Sequence, residues 1–237
     1  RADIGAIITY FCKIPKLLIE IFDENVYTVV TNGSPPEEGF RAPLELGEWR
    51  RGQGMNKIAI FLAEGFEEIE ALTVADICRR CGLDVSLVSV MENSLVKGSH
   101  NIAVQADICF SQADFGSYDM LVLPGGMPGT KNLEAHGELM EQVDAFYAGG
   151  KYIAAICAAP SIFGHRGIVK GRKACCFPGF ESQMEGAEVT EGPVEVSDHV
   201  ITSRGMGTAM DFALAIAGVF CGGERAQEMA ETVVYRK

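Results

Sequence analysis

The chain has no run of about 18 apolar residues of the kind that crosses a bilayer as a helix. The nearest approach, residues 4–22, is broken by Lys13, Pro15, Lys16 and Glu20, and lacks the cleavage pattern of a signal peptide. Positive charge is scarce: 20 Lys and Arg stand against 32 Asp and Glu in 237 residues, a net charge of −12. That balance argues against a basic footprint for nucleic acid or for an anionic membrane surface. Glycine is plentiful, yet no glycine run completes a phosphate loop. Gly125-Gly-Met-Pro-Gly129 lacks the Gly-Lys-Ser/Thr ending, and Gly205-Met-Gly207 stops short of the third glycine of a dinucleotide fingerprint. Both read as tight turns where backbone approaches backbone.

What is present is an ordinary globular composition, 48% hydrophobic and 22% charged, at a length suited to one domain or one domain with an appendage. The eight cysteines, Cys12, Cys78, Cys81, Cys109, Cys157, Cys175, Cys176 and Cys221, are scattered through apolar runs. That is not the pattern of a small disulfide scaffold, and the expected compartment is a reducing cytosol.

The chain changes character near Gly52–Met55. Residues 33–54 are rich in Pro and Gly and hold the single Trp49. Residues 1–54 are expected to be an N-terminal extension outside the core fold, with 55–237 as the domain. The rival reading is a small accessory element packed on that domain. Met55-Asn-Lys before an apolar strand resembles a natural start, so the extension could come from upstream translation.

From residue 55 onward, strand-like and helix-like segments alternate. Buried strands are expected at 57–63, 84–90, 119–123 and 151–156, with a ribbon over 95–106 that turns near Gly98–Asn101. A short strand is expected at 173–177 and paired strands at 194–196 and 199–203. Helices are expected at 67–81, 132–148, from 158, at 208–220 and at 224–232. Thr208 with Asp211 suggests a capping box at the fourth of these. Strands that are apolar on both faces and alternate with helices imply a mostly parallel, doubly wound α/β sheet covered on both sides. Ligands in such folds sit at the carboxyl ends of strands. Three small-residue turns, Ala63-Glu-Gly-Phe-Glu-Glu, Pro124-Gly-Gly-Met-Pro-Gly and Cys157-Ala-Ala-Pro, should meet at that edge.

Cysteine is the main chemical candidate. Cys78-Arg-Arg-Cys81 has redox or metal spacing, but it closes a helix and shows no further ligand pair, so helix packing is the better reading. Neighbours Cys175 and Cys176 on a strand face opposite ways and are read as structural. Cys157 follows a buried strand and precedes an alanine-rich helix start, with Pro160 suited to its first turn. Small residues flank it at Ala155 and Ala159. This is the pattern of a nucleophile elbow, where a helix N-terminus favours thiolate; a buried core cysteine is the alternative.

Glu70, Val74, Ile77 and Cys81 follow helical spacing, which places Glu70 at the strand-tip end of an apolar stripe. A carboxyl there should resist ionising and could donate a hydrogen bond to a Cys157 thiolate. Glu64, Glu67 and Glu68 read as solvated first-turn acids. None of His100, His136, His165 and His199 is selected by spacing as a base.

Four stretches then give a resemblance. Leu62-Ala-Glu-Gly-Phe-Glu-Glu-Ile-Glu70, Val122-Leu-Pro-Gly-Gly126, Ala154-Ala-Ile-Cys-Ala-Ala-Pro160, and Thr202-Ser-Arg-Gly-Met-Gly-Thr208 with Asp211-Phe-Ala-Leu-Ala215 occur in this order across nearly all of 55–237. The sequence resembles the ThiJ/PfpI superfamily, in the branch of the Parkinson-disease protein (DJ-one) and its bacterial relatives. The resemblance does not cover 1–54. It implies a flavodoxin-like fold and a homodimer. It maps a reactive, easily oxidised cysteine onto Cys157 and a protonated glutamate onto Glu70, and an oxyanion site onto the backbone N–H groups of Gly126 and Ala158, beside Gly125. Where some relatives carry a histidine, this chain has Phe177, and where the intracellular-protease branch has one directly after the cysteine it has Ala158, so peptidase activity is not expected. The implied function is a cofactor-independent, metal-independent glyoxalase or deglycase acting on methylglyoxal, a small reactive dicarbonyl, or on early glycated amines. The alternatives are an oxidative-stress sensor or chaperone, and a thiamine-pathway (thiazole phosphate) accessory role.

Overall fold

The structure, a computed structural model, describes residues 18–22, 26–30 and 56–235. The chain divides into two units, Arg1–Trp49 and Arg50–Lys237. In the first, β1 (Leu18–Phe22) and β2 (Val26–Val30) form an antiparallel hairpin, an element that the irregular residue order there does not announce. The Pro/Gly-rich stretch 33–54 lies outside the described residues.

The second unit is built on β3 (Lys57–Leu62), β4 (Asp84–Ser89), β5 (Leu95–Lys97), β6 (Ala103–Gln105), β7 (Ile108–Cys109), β8 (Met120–Leu123), β9 (Tyr152–Ile156), β10 (Lys173–Ala174), β11 (Glu188–Val189), β12 (Val194–Ser197) and β13 (Val200–Ser203). Its helices are α1 (Glu68–Arg80), α2 (Gly129–Ala135), α3 (Gly137–Ala148), α4 (Pro160–His165), α5 (Ala209–Cys221) and α6 (Gly223–Thr232). The central sheet has seven strands in the order β12-β13-β9-β8-β3-β4-β7. All its pairs are parallel except β12 with β13 at one edge. Between β4 and β13 this is the 2-1-3-4-5 order of flavodoxin-like folds, whose crevice opens where the order reverses, between β3 and β8.

Alternation along the strands fills two cores. Ile58, Ile60, Leu62, Met120, Val122, Ala154 and Ile156 face α1 and α5, meeting Val74, Ile77, Phe212 and Ile216. Ala59, Phe61, Leu121, Leu123, Ile153 and Ala155 face the other way, onto Leu139, Val143, Phe146, Ile162 and Phe163. Both faces of each central strand are covered, and for that reason the strands read as continuous apolar runs.

Three local expectations need correction. The helix expected over 132–148 is two helices, broken at His136, whose Nδ1 caps α3 by accepting from Leu139 N–H at 3.2 Å. Thr208 precedes α5 without capping it. Its hydroxyl turns back to the Gly205 carbonyl at 2.9 Å and to Ser203 at 2.7 Å, and Asp211 accepts from the Tyr235 hydroxyl at 2.8 Å. The stretch 173–177 forms only the two-residue β10, paired with β11.

Candidate active site

The loops after β3, β8 and β9 converge at the crevice. Glu67 N–H donates to the Gly125 carbonyl at 2.9 Å, and Gly125 N–H donates to Glu70 Oε2 at 2.8 Å. A Cβ on Gly125 would fall 2.6 Å from Cys157 Cβ and 2.8 Å from Glu70 Oε2. Gly126 has φ +91°, and a Cβ there would lie 2.5 Å from Glu67 N and 2.6 Å from the Gly65 carbonyl. Only glycine at these two positions lets the three loops close on one another.

Cys157 stands at the tip of β9 with φ +67°, in the left-handed region that costs a non-glycine residue about 1–3 kcal/mol. The surroundings hold it there. Its N–H donates to the Ser203 carbonyl at 2.9 Å, and its carbonyl accepts from Phe177 N–H at 2.8 Å. Pro160 opens α4 just beyond, where its missing N–H leaves no bond unmade. This sharp strand-to-helix turn is the expected elbow.

The structure brings Cys157, Glu70, Gly125, Gly126 and Ala158 together. Cys157 is 7% exposed and Glu70 fully buried. The thiol lies beside the Glu70 carboxyl and the backbone N–H groups of Ala158 and Gly126. Burial raises Glu70 to about 7; the Gly125 N–H and the thiol oppose this, and the charge of Glu67 adds to it. Among the described residues, Glu70 Oε1 has no nitrogen or oxygen partner.

The helix start alone does not set the acidity of the thiol. Burial pushes Cys157 up to about 12, the negative charge of an ionised Glu70 adds to this, and the Ala158 and Gly126 N–H groups only partly offset it. Sulfur and carboxyl cannot both be anionic at such close range. They titrate as a pair, and a thiolate requires the proton to stay on Glu70.

The other sequence candidates lie apart. Glu64 is exposed as expected, but Glu67 and Glu68 are buried, at 5% and 4% exposure. The turn at 98–102, some 30 residues further on, covers them. Ser99 Oγ donates to Glu67 at 2.9 Å and to Glu68 at 3.2 Å, and His100 N–H donates to Glu68 at 2.8 Å. Nothing in the local spacing announces this cover. Among the described residues no histidine hydrogen-bonds Cys157 or Glu70. His100 pairs with Glu68, His136 caps α3, His165 pairs with Glu134, and His199 lies against the Tyr147 carbonyl. Phe177 sits beside Gly205, with no imidazole at that position. Cys78 is fully buried and pushed well up, while burial raises Cys81 and Cys176 to about 11.

With this geometry in view, residues 56–218 match the DJ-1/PfpI family. The chain belongs to that family. A relative described as Protein DJ-1 homolog B of Arabidopsis thaliana is 36% identical over 182 residues, covering 76% of this chain. The match spans only 42% of that longer protein. The glutathione-independent glyoxalase DJR-1.2 of Caenorhabditis elegans is 31% identical over 175 residues, 73% of this chain and 93% of the relative. Among solved structures, oxidized Toxoplasma gondii DJ-1 superposes with a TM-score of 0.74 at 34% identity, covering 77% of this chain and all of that one. The flavodoxin-like fold of this DJ-1/PfpI domain is therefore shared with its relatives.

Proposed function

We propose that this DJ-1/PfpI protein is a cofactor-independent glyoxalase or deglycase, with Cys157 as nucleophile and Glu70 as proton carrier. The observation that carries the reading is the buried Cys157–Glu70 pair. When the pair holds one proton, Oε1 of Glu70 is the atom that gains most from it, because it lacks any N–H donor. The negative charge then rests on sulfur, where the Ala158 and Gly126 N–H groups point.

The thiolate attacks the aldehyde carbon of methylglyoxal to form a hemithioacetal, and the new oxygen takes over the Gly126 and Ala158 donors. Glu70 gives its proton to an oxygen and, now ionised, removes one from the adjacent carbon. Shifting that hydrogen to the neighbouring carbonyl carbon leaves a thioester of a 2-hydroxy acid. Water cleaves the thioester, releasing lactate and returning the thiol, so substrate plus water balances the product. An early adduct on a protein or nucleotide amine is a hemiaminal at the same carbon; there the C–S bond forms as the C–N bond breaks, the amine leaves with the proton of Glu70, and the same hemithioacetal results. Support from outside the site comes from the relative whose name is a glutathione-independent glyoxalase.

The reading includes a homodimer in a reducing cytosol. Ile69 and Leu72, exposed one turn apart on α1, offer apolar surface for a second copy. Methylglyoxal turnover measured beside a peroxide titration of Cys157, followed by mass spectrometry, tests the activity. Turnover that falls in step with oxidation of Cys157 is expected. Stoichiometric oxidation of Cys157 to the sulfinic acid in a protein without turnover would make it a redox sensor instead.

A further inference from the structure

The Cys78-Arg-Arg-Cys81 spacing finds no use in the chemistry above, yet the fold gives it a partner that the spacing does not contain. Cys78 and Cys81 sit at the end of α1, with Cys81 as its capping residue. Cys221 is the last residue of α5. The two helices pack side by side on one face of the sheet. Both begin at the carboxyl ends of strands, so their C-termini lie at the pole opposite Cys157. There the Cys221 Sγ–H donates to the Cys81 carbonyl at 3.6 Å, across 140 positions of chain. Cys78, on the core side, is near enough to both other sulfurs for their charge to raise it further.

Three sulfurs together suggest a metal, but their spread does not suit one. Among the described residues they do not all lie within 4.8 Å of one another, as a shared ion would require. A bond between sulfurs needs only two of them. Cys78 is fully buried and pushed well up, which makes it the poorest at meeting an oxidant. Cys81 and Cys221 are each part-exposed. The Arg225 guanidinium of α6 stands near Cys81, and its charge works against the burial that raises the thiol to about 11. Cys81 is therefore the sulfur best placed to open a reaction.

Both helix ends can also give. Each is followed by a glycine at positive φ, Gly82 at +81° and Gly222 at +85°, with nothing within 4 Å of where a Cβ would stand. The small shift that disulfide geometry demands pushes on no neighbour there. At a helix C-terminus the dipole disfavours thiolate. A dithiol whose thiolates are not stabilised loses little by bridging, unlike the oxidising pairs that open helices, and its disulfide is stable once made.

We propose that Cys81 and Cys221 form an intramolecular disulfide, made by exchange with a low-molecular-weight disulfide, that ties the ends of α1 and α5. The Cys81 thiolate attacks one sulfur of the small disulfide, whose S–S bond breaks and releases one thiolate. Cys221 then attacks the Cys81 sulfur of the mixed disulfide and expels the second. Two protein thiols lose two electrons, and the small disulfide becomes two thiols that take up the two protons. The bridge does not involve Cys157 and stands whether or not the dicarbonyl activity does.

The test is incubation of the full chain with oxidised glutathione at about pH 8, where exchange is rapid enough to follow. Trypsin cuts after Arg79, Arg80, Arg204 and Arg225, which puts Cys78, Cys81 and Cys221 in separate peptides. A non-reducing digest should contain one pair joining Cys81 to Cys221, lighter by two hydrogens than the separate peptides and parted by dithiothreitol. Because the bridge closes so long a loop, the oxidised chain should melt roughly 5–15 °C above the reduced one. Cys81→Ser and Cys221→Ser should each lose both the linked pair and the shift. Both positions are part-exposed, and melting curves of the reduced variants check that they fold. Cys157→Ser should keep both readouts. A link from Cys78 to either sulfur, glutathione held on Cys81 or Cys221 with no internal bridge, or a melting shift that survives Cys81→Ser would each overturn the assignment.

Discussion

Glu68 and Glu70 lie two residues apart in the first turn of one helix, both buried, and their acidities move in opposite directions. Burial pushes Glu68 up, but hydrogen bonds from the His100 ring, from its own backbone and from the backbone of His100 and Ile102 outweigh it, and the net shift is downward. Glu70 receives one backbone N–H and a thiol, and burial prevails. Depth and donors both separate them: Glu68 lies close to the surface under the 98–102 turn and takes several hydrogen bonds, whereas Glu70 lies deep in the domain with a single backbone donor. One acid is supplied with donors and stays ionised, holding the 98–102 turn in place. The other is left short of donors and holds its proton to a higher pH.

The most severe way to break this contrast is to remove the sulfur. Cys157→Ser should leave no measurable methylglyoxal turnover, because a hydroxyl without a base is a poor nucleophile; a steady-state assay decides it. Next in size is Glu70→Gln, which keeps shape and a donor but cannot release a proton. It should lower turnover by about 10²–10⁴-fold, the usual worth of general acid–base catalysis. Near-full turnover in this variant would hand the proton to another group and dissolve the pairing of roles.

Stability measurements sharpen the comparison from the other side, because the two acids should show opposite pH dependence. Glu70 is raised on folding, so its contribution is fully present below about pH 4.5 and is lost as pH rises through about 7. Glu70→Gln escapes that loss and should gain on the native protein between these pH values, by up to about 2–3 kcal/mol at pH 8, in denaturant titrations. Glu68 is lowered, so its contribution is present above the ordinary carboxyl range and lost as pH falls. Glu68→Gln should therefore cost about 1–3 kcal/mol at pH 7, with the deficit closing in acid. The smallest expected effect is kinetic. Limiting iodoacetamide with peptide mapping should label Cys157 ahead of Cys78, Cys81 and Cys176, because on the proposed function Glu70 holds the proton beside a thiolate at Cys157.

Much of this arrangement is legible in the sequence. Short apolar runs located β3, β4, β8, β9, β12 and β13, though not the two-residue β7, and period-3.6 patterns located α1 and α5, because continuous burial leaves few ways to place Val, Ile, Leu and Ala. The elbow at Cys157 and the buried place of Glu70 followed from local spacing on one strand end and one helix face. Glu67 and Glu68 were misread as solvated because their cover comes from the 98–102 turn, and first-turn acids look alike whether bare or covered. The same limit explains Thr208, whose hydroxyl prefers Gly205 and Ser203 to the helix end, and the break at His136, where a capping imidazole ends one helical pattern and starts another. The acidity of Cys157 is legible only in part: the helix start and the Glu70 partner follow from spacing, while the depth at which the sulfur is buried depends on elements far along the chain.

The bond from Gly125 N–H to Glu70 spans 55 positions of chain, and the elbow lies further along still. None of the groups that share the proton can meet until β3, β8 and β9 have paired in the sheet. Through most of folding, Glu70 is thus an ordinary acid in water and Cys157 an ordinary thiol. The altered acidities arrive together with those long-range contacts, so on the proposed function a half-folded chain carries no nucleophile of this kind. The finished topology acts as a safety catch that only complete assembly releases.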